Sequence, residues 1–211
     1  MQITDIISMV LLIIFGTGYI LKLVLLKQRE KINANVLAKG NKDFSIYSAE
    51  MFVRVSSSLW LLAWVSEIIF HHQISSVIGF LFINIYTAYI GIMITAVGVG
   101  IFIWATIVMK SSWRVGIDKT TKTTLVTDGI YNFSRNPAFV GFNLMFIGLF
   151  ATYANLFTLI VLVINLLAFH LLILQEEKHL FSMFGDEYER YTRKVPRYFL
   201  IFYWTVKSSN H

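Results

Sequence analysis

The sequence predicts an all-α integral membrane protein of about five transmembrane helices. Three observations carry that prediction. Hydrophobic residues make up 56% of the 211 and charged residues only 14%, where a soluble domain carries roughly 25% charged. Uncharged runs long enough to cross a bilayer recur along the chain. The lysines and arginines fall into alternate loops.

A span needs about 20 apolar residues. Residues 6–26 supply the first, with Lys22 near its end, where its long stem can reach back to water. The N-terminus has neither a basic leader segment nor a small-residue cleavage site, so this run is read as a retained span. Residues 55–70 supply a second, bounded by Arg54 and carrying Glu67. Residues 76–109 bear no formal charge and as one helix would reach about 51 Å. That is too long for one crossing, so a short interfacial stretch followed by a span over 87–109 is expected. Residues 138–174 would reach about 55 Å, which fits a helical hairpin turning at 152–155, "TYAN".

The basic residues support five crossings. Lys27, Arg29, Lys31, Lys39 and Lys42 follow span one. Lys110, Arg114, Lys119, Lys122 and Arg135 follow span three, and Lys178, Arg190, Arg193, Lys194, Arg197 and Lys207 follow span five. The other two connections, "HHQIS" and "TYAN", hold neither lysine nor arginine. Five spans put every basic segment on one face, which the positive-inside rule makes cytoplasmic, with the N-terminus outside and the C-terminus inside. The net charge of +6 then suits contact with anionic membrane lipids, at about 1 kcal/mol per basic residue near the surface. Nucleic acid is a poor partner, because no soluble basic domain exists to carry it.

Other chemistries are excluded or disfavoured. There is no cysteine, hence no disulfide, thiolate nucleophile or cysteine-based metal site. His71 and His72 are adjacent, point in different directions on a helix and do not form a metal site, so no metal is expected.

Two segments on the cytoplasmic side can carry chemistry. The connection within 111–141 is too long for a plain connector, and its "LVTDGIY" has the β-branched, aromatic and turn residues of an ordered loop. It ends in "SRNPAFVG", a helix start with Asn136 as cap and Pro137 at the first helical position, with Arg135 beside it. The second segment is 175–199. Here the last span runs into Glu176 and Glu177, adjacent carboxylates at the end of a helix whose dipole they oppose. A salt bridge to Arg135 or Lys178 would account for one of them. Gly185 reads as a helix stop, Asp186 as the cap of a new helix and Pro196 as its end. Phe181, Phe184, Tyr188, Tyr191 and Val195 make an amphipathic stripe that lies on the membrane or on the long loop.

At these residues the chain resembles the integral-membrane methyltransferases that include the isoprenylcysteine carboxyl methyltransferases and the phospholipid N-methyltransferases. The motifs are "TTLVTDGIYNFSRNPAFVG", an apolar hairpin, and "QEEKHLFSMFGDEYERYTRKVPR". The resemblance covers about 113–197, and spans one and two contribute nothing to it. One membrane domain follows, with spans one to three in 1–109 and the motif region in 110–211.

The resemblance implies S-adenosylmethionine bound at the cytoplasmic face. By matching position, Thr123, Thr124, Leu125, Val126, Tyr131, Asn136, Pro137, Ala138, Phe139 and Glu176 would border the cofactor, with Arg135 and Glu177 as the catalytic candidates. Glu176 would accept from the cofactor's ammonium and ribose hydroxyls, and its carboxylate would take an arginine or helix-N-terminal N–H groups. The acceptor would be a small lipidic molecule or lipidated group entering sideways from the bilayer, with carboxyl O-methylation ahead of amine N-methylation. A carboxylate needs no general base; an amine must lose a proton, for which Glu177 or Tyr188 would serve. The prenylcysteine enzymes have histidine at Asn136, tyrosine at Phe139 and a substrate-binding arginine at Leu172. Two rivals differ in class: an NADPH-dependent enzyme like the sterol reductases, and a non-catalytic protein on the same fold. The expected location is multi-pass in the plasma membrane of a prokaryote or the endoplasmic reticulum of a eukaryote.

Overall fold

The computed structural model describes residues 2–82, 84–119 and 123–199; Lys122 and Lys207 of the charge argument lie outside them. The helices are α1 (Ile3–Arg29), α2 (Phe44–Ile78), α3 (Ile85–Val108), α4 (Pro137–Tyr153), α5 (Leu156–Phe184) and α6 (Asp186–Lys194). Among the described residues no strand forms, apart from a single parallel bridge between Asn35 and Val115. Helices α1, α2, α3 and α5 are long and apolar enough to cross a membrane. The shorter α4, with 17 residues, extends about 26 Å.

The expected hairpin is present. Helix α4 ends at Tyr153, Ala154 takes a left-handed conformation (φ 36°), and Asn155 caps α5 by accepting the Thr158 N–H at 2.9 Å. The third span starts within two residues of its expected place. The second departs most, since α2 runs well beyond 55–70 at both ends. Charged Glu50 and Arg54 hid its first turns from a reading based on apolar runs. Phe70, where the expected span stopped, has non-helical angles (φ −119°, ψ 21°), and the chain bends there before continuing to Ile78.

From α1 to α5, helices consecutive in the chain run antiparallel. Trp64 donates its indole N–H to Ser8 at 2.7 Å between α2 and α1, and Leu81 N–H bonds to the Ala154 carbonyl, joining the two short turns. This end of the bundle carries no lysine or arginine among the described residues. Fully buried Glu67 is held there by the Asn155 amide at 2.7 Å and lies 3.3 Å from His71. The long loops and α6 gather at the other end, with the basic residues; we call it the basic end.

Helices α3 and α4 meet backbone to backbone. A Cβ on Gly98 would come within 2.7 Å of the Gly141 carbonyl, and one on Gly91 within 2.5 Å of the Thr152 N–H nitrogen. Gly91 and Gly98 on α3 face Gly148 and Gly141 on α4, a seam of small residues of the kind that joins membrane helices. On the other side of the seam the core is aromatic. Phe15, Trp60, Phe102, Phe142, Phe146 and Phe169 make edge-to-face or tilted contacts at 5.0–6.3 Å, each worth about 0.5–1.5 kcal/mol beyond its buried area.

Gly185 (φ 49°) separates α5 from α6. Asp186 is the first residue of α6 rather than its cap, because Gly185 already makes the turn and bonds back to Phe181. The aromatic stripe lies on the long loop: Tyr188, Tyr191 and Val195 are buried against Leu125, Leu180 and Phe184, while Phe181 stays exposed.

Candidate active site

A cavity of about 520 Å³ opens between the helices and extends to the basic end, well within the range of small-molecule sites. Its two ends differ in chemistry. Toward the bundle centre its walls are Leu12, Phe15, Val53, Trp60, Phe142 and Phe169. Toward the basic end they are Thr123, Thr124, Arg135, Asn136, Glu176 and His179. One face of α5 reaches from one to the other, since Phe169, Leu172, Glu176 and His179 recur at three- and four-residue steps. Gly16, Ile20, Ser58 and Leu61 line a gap between α1 and α2. Ile20 and Leu61 are 60% and 44% exposed, so the cavity also reaches the outer surface of the bundle.

The two adjacent glutamates have opposite surroundings. Glu177 is saturated: its Oε1 accepts from Arg135 Nε (3.2 Å), Arg135 Nη2 (3.0 Å) and Asn136 Nδ2 (3.0 Å), and its Oε2 from Arg197 Nε (3.0 Å) and Nη2 (2.8 Å). Glu176 is turned one position further round the helix. It faces the cavity and has no hydrogen-bond or ion-pair partner among the described residues. Its charge and, more strongly, burial push the Tyr131 hydroxyl above the ordinary tyrosine range.

Arg135 braces the C-terminal segment. Its Nη1 donates to the Thr192 and Val195 carbonyls (3.2 and 2.9 Å), and its backbone N–H to the Pro196 carbonyl. With Nε and one Nη2 hydrogen on Glu177, one of its five N–H groups is left, and the residue lines the cavity. The partner in Glu177's second bridge, Arg197, has its positive charge favoured by that contact.

Asn136 occupies the N-cap position of α4, but its side chain makes no cap bond. The expected capping is corrected here: the amide instead donates to Glu177 and to the Arg197 carbonyl at 3.2 Å, charge-assisted bonding that outweighs a neutral cap. The first-turn N–H groups of α4 therefore have no side-chain acceptor, and Ala138 and Phe139 of that turn line the cavity.

Of the residues singled out from the sequence, Thr123, Thr124, Leu125, Val126, Tyr131, Asn136, Ala138, Phe139, Glu176 and Arg135 all line this one cavity. Pro137 is buried behind them, and Glu177 stands off the wall, holding Arg135. Leu172 is buried and lines the cavity one turn before Glu176. Sequence reasoning missed the contribution of α1 and α2, which no motif marks; Tyr188, named there as a base for an amine acceptor, also lines the cavity. The Tyr188 hydroxyl is buried, lines the cavity and lacks a hydrogen-bond partner among the described residues. Burial keeps it protonated well past the ordinary tyrosine range.

The model of the family described as phospholipid methyltransferase matches residues 86–187, from the start of α3 into α6. Just under half of the chain is thus similar to this family. A phospholipid-methyltransferase match ending in α6 includes the long loop, the hairpin and both glutamates. It excludes α1, α2 and the loop joining them. The chain is also 42% identical over 73 residues to the protein-S-isoprenylcysteine O-methyltransferase of Schizosaccharomyces pombe. That stretch covers 34% of this chain and 31% of the fission-yeast protein.

Proposed function

We propose that the protein is an S-adenosylmethionine-dependent methyltransferase acting on a lipidic acceptor. The observation that carries this is Glu176, a carboxylate without a partner among the described residues, set at the polar end of a cavity whose other end is apolar. An isolated charge in such a place costs several kcal/mol unless a ligand compensates it. The donor set fits this cofactor. Glu176 would accept from its ammonium and ribose hydroxyls, Thr123 and Thr124 offer hydroxyls, and the spare Arg135 N–H and the α4 N-terminus suit its carboxylate.

When bound, S-adenosylmethionine supplies an activated methyl group. The chain's own part is placement and exclusion of water. Phe139, Phe142, Phe169 and Leu172 would confine the acceptor's apolar part, and the gap between α1 and α2 would admit it from the bilayer. Glu177 would act through Arg135, fixing that guanidinium at the cavity edge. A carboxylate acceptor needs no base and is favoured by the likeness to the prenylcysteine enzyme. Amine N-methylation is the second reading, because Leu172 offers no cation to a carboxylate. The protein would cross the membrane five times, with α4 as the short span, the N-terminus outside and the basic end in the cytoplasm.

Isothermal titration of the detergent-purified protein with S-adenosylmethionine and with NADPH tests the donor. Binding of the former and not the latter is expected; the reverse, or no binding, overturns the reading. Glu176→Gln should weaken S-adenosylmethionine about tenfold or more with the fold intact, since it removes a charge-assisted contact. Incubating the enzyme and labelled donor with a lipid extract, followed by mass spectrometry, identifies the acceptor.

A further inference from the structure

The cavity has a roof, and its fastening lies outside the family match. Glu50 on α2 is fully buried at the basic end. Its Oε1 accepts the Ile117 N–H at 2.6 Å and its Oε2 the Ala38 N–H at 2.7 Å. Lys42 reaches both oxygens, at 2.8 and 2.6 Å, and donates to the Val36 carbonyl at 2.7 Å. One carboxylate thus ties the loop after α1 to the loop after α3. The two loops also pair directly, Val36 N–H to the Val115 carbonyl at 3.0 Å and Val115 N–H to the Ala34 carbonyl at 2.8 Å. Leu37, Val115, Gly116 and Ile117 of this joined segment line the cavity.

The backbone at the junction is in the left-handed region, strained at Ala38 and open only to glycine at 116. Ala38 has φ 52°, a left-handed angle that a non-glycine residue rarely adopts. Gly116 has φ 91°, and a Cβ there would come within 2.8 Å of Glu50 Oε1 and of Leu37 Cα. Strain of this kind persists only where the surroundings impose it, and here the imposing group is the Glu50 carboxylate.

We infer that Glu50, neutralised by Lys42, is a latch that holds the two loops together over the polar end of the cavity, and so a positioning residue for the molecule bound beneath. The positioning role rests on the donor reading above; the latch does not. The latch assigns a task to the N-terminal part of the chain: the family-matched region carries the polar wall, and α2 with its preceding loop closes it.

Amide hydrogen exchange and S-adenosylmethionine titration, on the detergent-purified full chain, test this with Glu50→Gln, Lys42→Met and Lys42→Arg. The first two should raise exchange in 34–38 and 113–118 about tenfold, leave 91–98 and 141–148 unchanged, and weaken S-adenosylmethionine about fivefold. Lys42→Arg, which keeps the cation, should restore both readouts to near wild type. Unchanged exchange in the loops overturns the latch. Faster exchange across the α3–α4 seam as well makes Glu50 a stability residue only and overturns it too. Open loops with unaltered binding overturn the positioning role. If the wild-type protein binds no S-adenosylmethionine, the donor reading fails, and the exchange data alone decide the latch.

Discussion

The two sides of the helix bundle are built on opposite principles. Between α3 and α4, four glycines bring the backbones into direct contact and leave no space. Between α1, α2 and α5 the facing residues are large and aromatic, yet they enclose a cavity of about 520 Å³. Small residues give the closed joint and bulky ones the hollow, because rings that meet edge to face hold helices apart. The rigid side fixes where the α4 N-terminus stands, and the hollow side leaves room before it.

Glycine substitutions separate the two sides. Gly148→Ala should have the largest effect, because the added carbon would overlap Thr95 Oγ1 and approach the Gly91 carbonyl to 2.7 Å. A loss of about 3 kcal/mol or failure to fold is expected, and thermal unfolding in detergent measures it. A midpoint within about 2 °C of wild type would break the distinction. Gly16→Leu, on the hollow side where a Cβ meets nothing within 4 Å, should leave the midpoint unchanged. It should instead lower transfer of labelled methyl into a lipid extract about fivefold by narrowing the gap between α1 and α2. Unimpaired transfer would show that the acceptor arrives another way. Gly100→Ala has open space around it and should be neutral, or stabilising by at most about 1 kcal/mol through helix propensity; the same unfolding assay reads it.

Much of this was legible in the sequence, to an uneven degree. Uncharged runs and caps located α1, α3 and the α4–α5 hairpin because apolar length and turn chemistry are local properties. The motif residues of the long loop and of α5 came together at one cavity because they stand in one ordered region. What stayed hidden depends on contacts between distant segments. Glu50 lay outside the expected second span; buried beneath Lys42 and two backbone N–H groups, it belongs to α2. The resemblance told Glu176 from Glu177, but charge and position alone did not; the arrival of Arg135 and Arg197 from other segments satisfies Glu177 and leaves Glu176 without a partner among the described residues. The Asn136 side chain was expected to serve its own helix and serves Glu177 instead.

The unbroken course of α5 through the cavity wall has a consequence for its numbering. Each residue advances a helix by 100° and 1.5 Å, so the phase between Leu172 and Glu176 is fixed with nothing to absorb an error. Deleting one residue between them would swing Glu177 into the cavity and set Lys178 opposite Arg135, exchanging an attraction for a repulsion. Adding one would set Gln175 at the cavity and Glu176 opposite Arg135, keeping the bridge but removing the acid from the cavity. The helix thus works as a ruler whose divisions, more than the identity of any one residue, decide which acid faces the cavity.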